Sequence, residues 1–194
     1  LTLKVGSLFS GYGGLDLAVT ESFEAEVVWH CEWEDAPSAV LEAHWPNVPN
    51  YRDVSKVDWD NVEPVDILTG GFPCQDVSQA GRRAGLKAGT RSGLWSEFAK
   101  AIGVLRPSYV VIENVRGLTS AKAGSDVEYC AWCMGEADGG ESFMRALGAV
   151  LGDLADLGYD AKWTGLRAAD AGAPHNRYRI FILAWPVTAD TDGG

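Results

Sequence analysis

The 194-residue chain carries 46% hydrophobic and 22% charged residues, four cysteines and a formal net charge of -11. That length suits one domain with a genuine core, and no apolar run approaches the ~20 residues of a membrane helix. The opening run Leu3–Phe9 lacks the basic region, long apolar stretch and cleavage site of a secretory signal. Cys31, Cys74, Cys130 and Cys133 are too sparse for a disulfide scaffold. A cytoplasmic protein without a membrane contact is expected. The acidic balance opposes phosphate binding, which rests on Lys and Arg. Yet no acid lies between Asp76 and Glu97, where Arg82, Arg83, Lys87 and Arg91 fall. Such a loop can touch a phosphate backbone, or it is a solvated loop with incidental charges; on this body, isolated binding should be weak and salt-sensitive.

In chain order, an apolar strand over Leu3–Phe9 runs into the Gly-rich turn Gly11–Gly14 and a helix from Leu15 to about Ser22. A second strand, Glu26–Cys31, ends in the acidic cluster Glu32–Asp35. A helix over Ala36–Trp45, a short extended piece at Tyr51–Val54 and an apolar strand at Val65–Leu68 follow. A Gly- and Arg-rich loop reaches Gly93, and helix resumes from Leu94 to about Leu105. Tyr109–Ile112, bulky and mostly β-branched, reads as a strand covered on both faces. Residues 119–141 read as an insertion or ordered loop, with helix overlapping their end and returning at Glu141–Leu157. Extended runs at Asp160–Leu166 and Tyr178–Trp185 close one domain over residues 1–188, and 189–194 read as the start of a linker. Alternation of this kind favours an α/β fold, an open and mostly parallel sheet with helices on both faces.

Four constellations carry chemistry. In Phe9-Ser10-Gly11-Tyr12-Gly13-Gly14, glycines let the backbone turn sharply beside a nucleotide-like ligand; a purely structural turn is the alternative. Glu32 stands where a carboxylate meets ribose hydroxyls, and Trp33 beside it can stack on an adenine or be a half-buried aromatic. Gly70-Gly71-Phe72-Pro73-Cys74-Gln75 presents a cysteine at the carboxyl end of a strand, where reacting groups gather in open α/β sheets. The thiolate is the reactive form, and the basic stretch that follows favours it. Glu113, emerging from the most apolar strand, suits proton donation or sharing; an N-cap or a solvated strand end is the alternative. Arg177 and Arg179, two apart on an extended segment, point to one face and can meet a phosphate, a base or Glu113.

In this order and spacing, F-S-G-Y-G-G, G-F-P-C-Q, E-N-V and R-Y-R resemble the successive motifs of bacterial and phage DNA cytosine carbon-5 methyltransferases. The resemblance runs from about Leu3 to Trp185. It implies a Rossmann-like S-adenosylmethionine-dependent fold with an antiparallel last strand, and double-stranded DNA as partner. It implies cofactor binding by Phe9, Gly11, Tyr12, Gly13, Gly14, Glu32, Trp33, Asp53 and Val54, helped by Gly71, Pro73 and Leu94. Catalysis would fall to the Cys74 nucleophile, to Glu113 on the cytosine ring nitrogen and amine, to Arg179 on the ring carbonyl, and to Arg177 as an orienting group. The loop from Gln75 to Gly93 would clamp a flipped base.

Two departures qualify the resemblance. His175 stands where the family usually has Gln, and neither the variable recognition region nor the final Asn-containing cofactor motif is visible. A truncated chain, or a second polypeptide supplying the rest, is implied. A non-catalytic cofactor- or DNA-binding subunit and an RNA cytosine methyltransferase remain the alternative readings. Cys130-x-x-Cys133 is half of a tetrahedral zinc set; free thiols in a surface insertion are the simpler reading, and no metal is expected. Cys31, in an apolar strand, is read as core.

Overall fold

A computed structural model of the chain describes residues 2–72, 93–115 and 146–188. Pro73, Cys74, the basic loop, and Cys130 and Cys133 with their insertion lie outside the described residues, as does the 189–194 tail. Strands β1 (Leu3–Leu8), β2 (Ala25–Cys31), β3 (Ile67–Gly70), β4 (Tyr109–Val115), β5 (Tyr159–Arg167) and β6 (Tyr178–Pro186) form one sheet in the order β2-β1-β3-β4-β6-β5. The first four are parallel, and β6 runs antiparallel to both its neighbours. Helices α1 (Gly14–Phe23), α2 (Asp35–His44), α3 (Gly93–Leu105) and α4 (Ala146–Asp156) complete the layers.

Periodicity decides which helix covers which face. On α3, Trp95, Phe98, Ile102 and Leu105 recur at helical spacing, as do Leu147, Val150 and Leu154 on α4. They pack on the face that carries Leu8, Leu68, Val110, Ile112, Ile180 and Ile182. Val19 of α1 covers the opposite face at Val5, Val27 and Ile67. Each such aliphatic side chain contributes about 1.5–3 kcal/mol on full burial. β4 alternates rather than being buried throughout: Val110, Ile112 and Asn114 are buried on the α3 side, whereas Val111 and Glu113 are only partly covered.

The extended piece expected at Tyr51–Val54 is not a strand. Asn50 forms a single bridge to His30, and the chain then turns into a short 3-10 segment, Val54–Lys56. The Asp53 side chain accepts from Ser55 N–H, a local bond that competes with any ladder. The cysteine motif consequently follows the third strand.

A pH-dependent feature joins α3 to α4. Burial holds the Asp153 carboxyl above its ordinary range, Asp156 adds to the rise, and the Trp95 indole N–H, 2.5 Å away, opposes it. A raised folded-state pKa means the folded chain binds this proton more tightly than the unfolded chain. Its stabilising contribution is therefore complete below the unfolded pKa and is lost as pH rises through the folded value. Asp153→Asn keeps an acceptor for Trp95 and removes the desolvated charge. Urea midpoints should rise above wild type at pH 7, with the gain vanishing below about pH 3.5; an equal gain at both would exclude ionisation as the cause.

Candidate active site

Strands β2, β1 and β3 end level, while β4 runs on beside β6 to Val115. Cys31, Leu8, Gly70 and Ile112 are register partners across β2, β1, β3 and β4, so the next row along the carboxyl edge is Glu32, Phe9, Gly71 and Glu113. Strand order reverses between β1 and β3, which opens a crevice at the place where α/β sheets bind ligands.

Phe9 stops β1 by entering the left-handed region at φ 51, a conformation costing a non-glycine residue about 1–2 kcal/mol. Gly11 (φ 54) and Gly13 (φ 80) follow, and Gly13 N–H donates to Ser10 carbonyl to close the turn. A Cβ at Gly13 would lie 2.6 Å from the Trp45 ring, whereas Cβ atoms at Gly11 and Gly14 would meet nothing within 4 Å. The turn thus packs on one side and stays open on the other.

Glu32 is buried, and both its oxygens already work. Oε2 accepts from Gly11 N–H at 2.7 Å and Oε1 from Glu34 N–H at 2.8 Å. A carboxylate offers about four acceptor positions, so capacity for a pair of hydroxyls remains. Trp33 is 62% and Tyr12 64% exposed, so Trp33 is not the half-buried aromatic of the alternative reading. Lys56 stands 5.8 Å over the Trp33 ring and pairs with Asp53. The Ser55 hydroxyl foremost, with Lys56 and Ser55 N–H, holds the Asp53 carboxyl below the usual range. Val54 is buried in the core, and Phe9 and Leu94 pack partly against it. An open glycine turn, a carboxylate with free acceptor positions and exposed aromatic rings fit a nucleoside-bearing cofactor.

At the other end of the row, Glu113 and Arg179 meet. Glu113 is the register partner of Phe181, and Arg179 lies two residues before Phe181, so the pair sits diagonally on one face. Arg179 Nε is 2.5 Å from Glu113 Oε1, a close ion pair whose angle falls outside hydrogen-bond geometry, at 23% and 27% side-chain exposure. Arg179 Nη1 donates to Tyr178 carbonyl, which anchors it. Arg177 precedes β6 and is exposed. Gly71 lets Glu113 approach, since a Cβ there would lie 3.2 Å from Oε2.

Three arrangements went unread in the sequence. Buried Asn114 donates through Nδ2 to Phe72 carbonyl at 2.8 Å and accepts Val115 N–H through Oδ1, tying β4 to the chain two residues before Cys74. Asn50 bonds both sides of the Glu32 backbone. Beneath the glycine turn, Ser7, His30 and Thr69 form a buried polar row, and Thr69 donates to Asp16 Oδ1 of α1 at 2.8 Å. The E-N-V motif pointed at Asn114, while nothing local marked Asn50 as more than a turn residue. Cys31 is core, as read: burial foremost, with Glu32 and Asp53 nearby, pushes its thiol up to about 12, so it is not a nucleophile at neutral pH.

A family model described as C-5 cytosine-specific DNA methylase matches residues 3–190. The Type II methyltransferase M.NgoBV of Neisseria gonorrhoeae is 31% identical over 185 residues, covering 93% of this chain and 40% of the relative. M1.ScrFI of Lactococcus lactis subsp. cremoris is 30% identical over 182 residues, covering 94% of this chain and 41% of its own length. The chain thus spans about two-fifths of these curated relatives. The solved S. pombe Dnmt2 methyltransferase shares the fold at a TM-score of 0.70 and 19% identity, over 97% of this chain and 52% of that one. Among the described residues, no helix is long and apolar enough to cross a membrane.

Proposed function

The chain belongs to the C-5 cytosine-specific DNA methylase family, and from that premise we propose that it transfers a methyl group from S-adenosylmethionine to carbon 5 of cytosine in DNA. The observation that carries the reading is the carboxyl-edge row, with Glu32 and the open glycine turn at one end and the Glu113–Arg179 pair at the other. The two ends flank the β1/β3 switch point on one sheet edge, and the chain leaves β3 between them toward Pro73 and Cys74.

S-adenosylmethionine, when bound, supplies an electrophilic methyl group on a sulfonium. Glu32 would hold its ribose hydroxyls, Trp33 and Tyr12 would stack or flank the base, and Phe9, Gly11, Gly13, Gly14, Asp53, Val54, Gly71, Pro73 and Leu94 would shape the pocket. Carbon 5 of cytosine is a poor nucleophile. The Cys74 thiolate adds to carbon 6, its electron pair forming the S–C bond while the ring π pair moves to carbon 5. Glu113 holds the ring nitrogen and exocyclic amine as charge develops, and Arg179 turns from Glu113 toward the ring carbonyl. Carbon 5 uses that pair for the bond to the methyl group, the S–CH3 pair staying with the donor's sulfur as a neutral thioether. Loss of the carbon-5 proton to a base with expulsion of the Cys74 thiolate then restores the ring. Arg177, exposed beside this pair, orients the region or meets a phosphate. The reaction needs an extruded base, for which the basic loop is the proposed clamp. We place target selection in the portion of the relatives that this chain does not match, carried on the same or a second polypeptide.

The test is a duplex containing 5-fluorocytosine with methyl-labelled S-adenosylmethionine. Fluorine at carbon 5 cannot leave as a cation, so the adduct persists. A labelled DNA–protein species mapping to the Cys74 peptide is expected. Label without a protein–DNA link, or a link at another residue, overturns the mechanism. A link to RNA but not DNA would favour the RNA reading.

A further inference from the structure

We propose that Asn50 is a positioning residue for the methyl donor, holding the backbone of Glu32 so that its carboxylate faces the glycine turn. Asn50 Oδ1 accepts Glu32 N–H at 2.9 Å, and its Nδ2 donates to Glu32 carbonyl at 3.2 Å. One side chain therefore grips both sides of a single residue, as a neighbouring strand would, at the point where β2 has ended and no ladder continues. The second lone pair of Oδ1 takes Arg52 N–H at 3.0 Å, and the second hydrogen of Nδ2 goes to Ser38 Oγ of α2 at 3.0 Å. All four hydrogen-bonding positions of the amide are occupied, and the two backbone donors fix which atom is oxygen.

The effect reaches the cofactor end of the crevice because Glu32 is the link. Its Oε2 takes Gly11 N–H, so a displaced Glu32 backbone moves both the carboxylate and its bond to the turn. Asn50 itself is held by its place in the chain: His30 N–H donates to Pro49 carbonyl and Tyr51 N–H to His30 carbonyl, both near 2.9 Å. β2 thus orients the side chain that in turn orients the residue following β2.

This inference rests on the reading of Glu32 as a cofactor ligand, and the experiment separates the two. S-adenosylmethionine is titrated calorimetrically into wild type, Glu32→Ala, Asn50→Ala, Asn50→Asp and the Glu32→Ala/Asn50→Ala double variant, each with a thermal unfolding curve. Asn50→Ala should raise Kd about tenfold. The double variant should bind little worse than Glu32→Ala alone, because both losses act through one carboxylate. Asn50→Asp keeps the acceptor oxygen and loses both donated bonds; a rise in Kd of at least about threefold is expected, and it carries the test if Asn50→Ala fails to fold. In turnover, KM for the cofactor should rise with kcat unchanged, a split that general destabilisation does not produce. Wild-type affinity in the Asn50 variants, or losses that multiply in the double variant, would overturn the role of Asn50. No saturable binding by wild type, or an inert Glu32→Ala, would overturn the reading beneath it.

Discussion

Glu113→Gln should slow formation of the 5-fluorocytosine adduct by about 10²–10⁴, the usual range for loss of a general acid or base, while Cys74→Ala abolishes it. Gln matches Glu in shape, so it fits against Gly71, where a Cβ would already stand 3.2 Å from Oε2. What it lacks is a negative charge and a transferable proton. Without the charge, the ion pair with Arg179 Nε disappears, and ring protonation loses its partner. Arg179→Ala should also slow the reaction, by about 10², because a half-buried carboxylate is left uncompensated and the ring carbonyl loses its donor. The measurement is single-turnover adduct formation at saturating DNA, with cofactor affinity determined separately. Affinity should stay within about twofold for the Glu113 and Arg179 variants, since both lie at the end of the row away from Glu32. A Glu113→Gln rate within about fivefold of wild type would remove Glu113 from the chemistry.

Gly6→Ala should cost about 3 kcal/mol or more of stability, at the upper end of overpacking effects. The built Cβ would stand 2.1 Å from Cζ2 of Trp29, with two more ring atoms within 2.5 Å. Trp29 has little freedom to yield: it is fully buried, its Nε1–H donates to Glu63 carbonyl, and Trp59 and Tyr51 pack against it with tilted rings. Moving the ring breaks that bond, and moving the backbone disturbs β1 at the register shift it makes with β2 between Val5 and Gly6. For a chain of this size, a loss of 3 kcal/mol lowers Tm by roughly 6–12 °C. Calorimetric melting checks it, and a change under about 2 °C would mean the ring relaxes freely.

The two ends of the crevice differ in how far their chemistry could be read from the chain alone. Glycine spacing, the Glu32–Trp33 pair and the E-N-V and R-Y-R runs are local signals: a left-handed turn needs glycine, and a strand places alternate residues on one face. They were enough for the strand–helix alternation and for the family resemblance, and it was that resemblance that implied the antiparallel last strand. Asp53-x-Ser55 was also legible as a capping turn, and reading it would have prevented the strand expected at Tyr51–Val54. Asn50 was not legible, because only its bond from Arg52 N–H is local; the other three run to residues 12 and 18 positions away and exist only when β2 and α2 lie beside it.

By itself, then, the sequence determined the element order and the types of residue delivered to the sheet's carboxyl edge, since period, turn chemistry and apolar runs act over a few residues. Tertiary structure alone decided which of those residues meet. Arg179 rather than Arg177 reaches Glu113 because the β4–β6 register makes Glu113 the partner of Phe181, and register depends on the packing of whole faces.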